Sequence, residues 1–94
     1  MTIKQIEQGS KGSFILDENG ERLGEMTYTV AGEKLIIIDH TEVSDKLRGQ
    51  GAGKKLVLAA VEYARQNNIK VLPLCPFAKV TFDRTPDIQD VVSK

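Results

Sequence analysis

From Ser13 to Asp17 the run Ser-Phe-Ile-Leu-Asp reads as a strand, and Glu18-Asn19-Gly20-Glu21 follows with the Asn-Gly pair that favours a tight hairpin. In the next segment Met26, Tyr28 and Val30 alternate with Thr27 and Thr29, a period of two that presents one apolar face. Ala31-Gly32-Glu33-Lys34 makes a second turn, and Leu35 to Val43 is a third strand. Its front half, Leu35-Ile36-Ile37-Ile38, is apolar without alternation, which predicts a strand covered on both faces at the centre of a sheet. The period then changes. Between about Ala52 and Gln66 the residues Leu56, Val57, Ala60, Val61 and Ala64 recur at helical spacing, with Lys54, Lys55, Glu62 and Arg65 on the other side.

Asn67-Asn68 closes that helix, and Ile69 to Cys75 reads as a fourth strand with an irregularity at Pro73. Strand, helix and strand in that order predict a crossover joining parallel strands. From Pro76 to Lys94 the tail reads as two short helices, the second opened by Thr85-Pro86-Asp87: a cap residue, a proline and an acid in the first turn. The order is βββαβ followed by helices, an α+β fold with a mixed sheet.

Composition narrows the class. With 94 residues, 40% hydrophobic and 28% charged, residues 1–94 are expected to form one domain that folds by itself. Thirteen basic residues balance thirteen acidic ones, so no long-range field draws nucleic acid or an anionic membrane. The first residues lack the apolar core of a signal peptide, no stretch is long enough to cross a bilayer, and a cytoplasmic location is expected. Cys75 is the single cysteine, which agrees with a reducing compartment. One histidine and one cysteine do not make a zinc site, and Phe14, Phe77 and Phe82 read as core residues.

The candidate chemistry lies in Arg48-Gly49-Gln50-Gly51-Ala52-Gly53, three glycines within five residues between a strand and a helix. Glycine lets backbone amides turn towards a ligand, and the first turn of a helix adds unpaired N–H groups with a partial positive charge. That combination suits a phosphate or pyrophosphate, with Arg48, Lys54 and Lys55 adding charge at the rim. A P-loop fails twice: counting back from Gly53-Lys54 puts Arg48 where the first glycine belongs, and Lys55 replaces the hydroxyl residue. A dinucleotide fingerprint starting at Gly49 meets Lys54 at its third glycine position. The bland alternative is a sharp turn and nothing more.

The loop does match the pattern Arg/Gln-x-x-Gly-x-Gly/Ala, and with it the chain resembles the GNAT superfamily of N-acetyltransferases. His40-Thr41-Glu42-Val43, the loop itself and Pro73-Leu74-Cys75-Pro76 together resemble its short YjdJ-type branch. The resemblance implies a minimal GNAT-like fold that binds acetyl-CoA (coenzyme A) and an amine acceptor, a small molecule or a protein. It assigns cofactor contacts to Thr41 and Val43 on the strand, to Arg48, Gly49, Gln50, Gly51, Ala52 and Gly53 in the loop, and to Lys54. It also implies that the strands flanking the helix splay apart, with the thioester in the gap.

His40 and Glu42 share one face of their strand, while Asp39, Thr41 and Val43 take the other. The resemblance lets His40, Glu42 and Cys75 converge on the thioester. Either His40 or Glu42 is a candidate base for the incoming ammonium; the alternative is a core histidine beside a solvated glutamate. Cys75, at a strand end before a helix, is a candidate nucleophile, acid for the leaving thiolate, or structural residue. Many relatives carry a tyrosine in the following helix, but Phe77 to Asp83 contains none. The chain is also short of the helices and closing strands that shape the acceptor pocket in larger relatives, so a module that binds or senses acetyl-CoA without transfer is the second reading.

Overall fold

A computed structural model describes residues 1–93, so Lys94, the last residue of the tail read above as helical, lies outside the described residues. Five strands form a mixed sheet: β1 (Thr2–Gln8), β2 (Lys11–Glu18), β3 (Glu21–Val30), β4 (Leu35–Val43) and β5 (Lys70–Pro73). Neighbours follow chain order; the first four run antiparallel, and β4 pairs with β5 in parallel through the crossover helix α1 (Ala52–Asn67). Helix α2 (Pro76–Asp83) and a 3-10 segment (Pro86–Val91) complete the chain. The mixed α+β fold agrees with the hydrophobic pattern. The hairpin also forms as expected, with Asn19 at φ 52° and Gly20 at φ 81°.

The sheet has one strand more than the pattern predicts. Strand β1 is exposed along almost its whole length, so it carries no apolar alternation, and pairing with β2 rather than burial makes it a strand. The middle strand is β3, which corrects the expectation for β4. Nor is β4 covered on both faces: Ile36 and Ile38 are in the core, whereas Leu35 and Ile37 are only half-buried.

Two irregularities set which side chains face inward. Tyr28 pairs with Ile38 and Thr27 with His40, leaving Asp39 as an extra residue in β4. A one-residue slip reverses the faces of everything beyond it. Thr41 and Val43 therefore join Ile36 and Ile38 on the face covered by α1, and His40 and Glu42 point away. Thr41 sits opposite the fully buried Met26, and Val43 opposite Gly24, where an added Cβ would touch Leu56 of α1. A second bulge, between Leu16 and Asp17, leaves Leu23 unpaired in the ladder and buried in the core.

Helix α1 buries Ala52, Leu56, Val57, Ala60, Val61 and Ala64 on the sheet, the stripe its sequence spacing requires. Asn68 closes it at φ 55° in the left-handed conformation. At the start of the 3-10 segment Thr85 occupies the cap position but does not cap; its hydroxyl donates backward to the Thr81 carbonyl at 2.7 Å.

Gly12 is required for a close approach. A Cβ there would lie 2.2 Å from the Tyr28 ring. The ring cannot withdraw, because it is fully buried and its hydroxyl donates to Glu7 at 2.8 Å while accepting from Gln5 at 2.7 Å. Gly12→Ala is expected to destabilise by about 1–3 kcal/mol through overpacking, read as a fall in Tm of roughly 4–8 °C per kcal/mol. An unchanged melting temperature would show that the ring has room to shift.

Candidate functional site

The loop between β4 and α1 is held by its own hydrogen bonds. Ser44 accepts from the Lys46 amide at 3.2 Å, and Leu47, 2% exposed, anchors a 3-10 turn over Asp45–Leu47. The amides of Leu47, Arg48 and Gln50 donate to Ser44, Asp45 and Leu47 carbonyls at 3.0–3.1 Å. Gly49 at φ 80° and Gly51 at φ 69° then turn the chain through the left-handed region, where a side chain is strained. Gly51 is the N-cap of α1 and offers no capping side chain. Among the described residues, no backbone carbonyl accepts from the amides of Gly49, Gly51, Ala52, Gly53 or Lys54.

Those amides edge a groove of about 590 Å³. Thr41 and Val43 of β4 form its floor at one end, Arg48, Gly49, Gly51, Ala52, Gly53 and Lys54 one wall, and Phe77, Val80, Thr81 and Arg84 of α2 the facing wall. Three cations and no carboxylate line it, so the local field favours an anion although the whole chain is neutral. Arg48 lies 3.2 Å from Asp45, but both side chains are largely in solvent. Such a pair is worth only about 0–1 kcal/mol and yields readily to a phosphate.

Gln50 is the loop residue that does not line the groove, and its amide is already taken by Leu47. No motif in the sequence marks the α2 wall. Phe77, expected in the core, is 44% exposed with its ring against Gly53, where an added Cβ would lie 2.4 Å away. Phe14 and Phe82 are buried as expected. Phe77, Val80, Thr81 and Arg84 fall on one face of a helix, one that mixes apolar groups with a cation, but that spacing alone does not distinguish a groove wall from a core face.

The β4–β5 ladder ends at Ile38 and Pro73, after which the amides of Leu74 and Cys75 both donate to the Ile38 carbonyl. Beyond that point the chain turns into α2, and β4 from Asp39 onward has no β5 residue beside it. The strands part there. Cys75, 5% exposed, is the N-cap of α2, and its thiol donates to the Thr41 hydroxyl at 3.5 Å. It sits behind Thr41, one side chain from the groove.

Burial pushes the Cys75 thiol up, but hydrogen bonds that the thiolate accepts from the Ala78 amide, from the Thr41 hydroxyl once its proton turns to the sulfur, and from the Phe77 amide outweigh it and hold the thiol below its ordinary value. A larger thiolate fraction at neutral pH follows. The thiolate can be followed by ultraviolet absorbance, because the tyrosines move away from it: Tyr63 titrates above its ordinary value and burial raises Tyr28 to about 12. Thr41→Val is expected to move the Cys75 midpoint upward. A downward or absent shift would show that the threonine hydroxyl does not stabilise the thiolate.

Cys75 is not brought together with His40 and Glu42. These two sit on the opposite face of β4, with side chains 64% and 78% exposed, and His40 Nε2 lies 3.0 Å from Glu42 Oε1. Neither the core-histidine alternative nor a convergent triad describes them; they form an exposed imidazole–carboxylate pair. Among the described residues, no group of three His, Cys, Asp or Glu is arranged to hold a metal ion, and no helix is long and apolar enough to cross a membrane.

A family model for GCN5-related N-acetyl-transferases matches residues 13–91. A GCN5-like protein of Staphylococcus aureus, solved in solution by NMR, is 44% identical and superimposes with a TM-score of 0.72 over 98% of this chain and 87% of its own. A GNAT family acetyltransferase of Elizabethkingia anophelis, solved with acetyl-CoA bound, shares the fold at 20% identity, with a TM-score of 0.61 over 68% of this chain and 42% of that one. Protein NATD1 of Xenopus tropicalis is 34% identical over 50 residues, 53% of this chain and 46% of that protein. The match thus spans less than half the length of that curated relative. By the extent of the family match and the likeness to the staphylococcal protein, the chain belongs to the GCN5-related N-acetyltransferase family.

Proposed function

We propose that the chain transfers the acetyl group of acetyl-CoA to the nitrogen of a primary amine, as a member of the short YjdJ-type branch in the cytoplasm. One observation carries the reading: a cradle of unpaired amides at Gly49 and Gly51–Lys54 opens onto a groove whose far end is one side chain from a thiol. The cradle fits a diphosphate in charge and in donor geometry. Arg48 and Lys54 supplement it, and the extended β4 edge at Thr41 and Val43 fits the amide-bearing arm of CoA.

Cys75 is the nucleophile in this reading. Its Sγ forms a bond to the acetyl carbon as the carbon–sulfur bond to CoA breaks, and the thiol proton ends on the departing CoA thiolate. His40, paired with Glu42 across 3.0 Å, takes one proton from the ammonium on the far face of β4, and the free amine then passes the open edge that β4 presents beyond Ile38 to reach the acetyl group. The amine nitrogen then bonds to the acetyl carbon, the bond to Sγ breaks, and the second nitrogen proton returns to Cys75.

A non-catalytic module that binds or carries acetyl-CoA is the second reading. It is favoured by the placement of His40 and Glu42 on the face opposite Cys75. Acceptor-dependent release of free thiol from acetyl-CoA separates the two, and binding itself is tested by melting. Acetyl-CoA at about 100 times its Kd should stabilise the fold by about 2.7 kcal/mol and raise Tm by roughly 10 °C or more. No shift with any CoA species removes both readings.

A further inference from the structure

We infer that Arg84 reads the 3′-phosphate of coenzyme A and makes the groove selective for CoA over its dephosphorylated form; this rests on the acetyl-CoA reading above. Helix α2 gives the groove a direction. Cys75 caps its N-terminus, Phe77 in its first turn lies against Gly53 of the amide cradle, and Arg84 caps its C-terminus. Eight residues of helix separate the ends by about 12 Å. A ligand with its thioester near Cys75 and its diphosphate at the cradle therefore carries its nucleotide end towards Arg84.

Chemistry at that end points to an anion. Arg84 is exposed and lines the groove, and among the described residues its guanidinium meets no carboxylate and makes no hydrogen bond. Some cations outside the groove are engaged, Lys79 with Asp83 at 3.4 Å, Arg65 with Asp90 at 2.7 Å and Lys46 with Glu21 at 2.9 Å, while among the described residues Arg22, Lys34 and Lys55 are not; what sets Arg84 apart from these is that it also lines the groove. Nearby hydroxyls already have acceptors, since Thr81 donates to the Phe77 carbonyl at 2.9 Å and Thr85 to that of Thr81 at 2.7 Å. The planar, always charged guanidinium is thus the donor that α2 presents there, and its fork matches two phosphate oxygens at once. Lys54, on the opposite wall, adds a point charge to the same field.

The test is calorimetric titration of the full chain with CoA and with 3′-dephospho-CoA at one fixed ionic strength, for wild type, Arg84→Ala, Arg84→Lys and Lys79→Ala. Wild type should bind CoA about tenfold more tightly than dephospho-CoA, as expected for a partly solvated charge-assisted contact. Arg84→Ala should weaken CoA by about the same tenfold while leaving dephospho-CoA within about twofold, so that the preference disappears. Arg84→Lys should keep part of the preference and Lys79→Ala all of it. Equal binding of both ligands by wild type, or equal weakening of both by Arg84→Ala, overturns the inference and leaves the acetyl-CoA reading standing. Binding of neither ligand by wild type overturns both.

Discussion

Gly51→Val should weaken acetyl-CoA binding by about 100-fold, close to 2.7 kcal/mol. Gly51 holds φ 69°, and a side chain there costs about 1–2 kcal/mol, more for a β-branched one. The loop relaxes to a negative φ and turns aside the amides of Gly51, Ala52 and Gly53, each of which contributes about 1.5–3 kcal/mol when paired with a charged oxygen. Nothing lies within 4 Å of a Cβ at Gly51, so the effect is conformational and not a clash. Gly32→Ala is the matched control: φ is 127° and the surroundings are equally open, but the turn precedes the opposite end of β4 from Thr41 and Val43 and lines no part of the groove. It should lower stability and leave affinity unchanged. Full affinity in Gly51→Val would mean that the diphosphate is held by side chains alone.

Cys75→Ala is expected to lower acceptor-dependent thiol release by about 10²–10⁴-fold, the range lost when a positioned proton-transfer group is removed, and more if the sulfur carries the acetyl group. Removing Sγ takes away the group that Thr41 and the first amides of α2 hold below its ordinary pKa. Intact mass spectrometry after brief incubation with acetyl-CoA alone should give wild type one acetyl group and Cys75→Ala none. Because the thiolate is the reactive form, the adduct should form faster as pH rises through the Cys75 midpoint, which lies below that of an ordinary thiol. Binding must be measured beside activity. If Cys75→Ala binds acetyl-CoA as wild type does and releases thiol at the wild-type rate, the cysteine is structural and its burial is sufficient reason for it.

His40→Ala separates the two faces of β4. It should slow transfer to the amine and leave acetylation of Cys75 untouched, since the pair with Glu42 lies across the strand from the sulfur. Loss of both steps together would show that the imidazole acts on the thioester side.

The periodicity between Leu56 and Ala64 was sufficient to position α1, because one apolar stripe has one place to go, and the glycines at 49 and 51 marked the turn because only they adopt its dihedrals without strain. Arg48 to Gly53 and Cys75 were legible as chemistry for the same local reasons. Strand β1 was not, since an exposed edge strand needs no apolar face, and neither was the α2 wall, since Phe77 reads as a core residue until the groove beside Gly53 is known.

What only the tertiary structure decided is the facing of β4. A strict period of two from Ile36 and Ile38 would carry His40 and Glu42 into the core; the extra residue at Asp39 exchanges the faces and delivers Thr41 to Cys75 instead. Local sequence sets helix stripes and left-handed turns because both depend on neighbours within a few positions. A bulge depends on how the partner strand pairs, and two residues 34 positions apart meet only once the sheet and crossover are assembled.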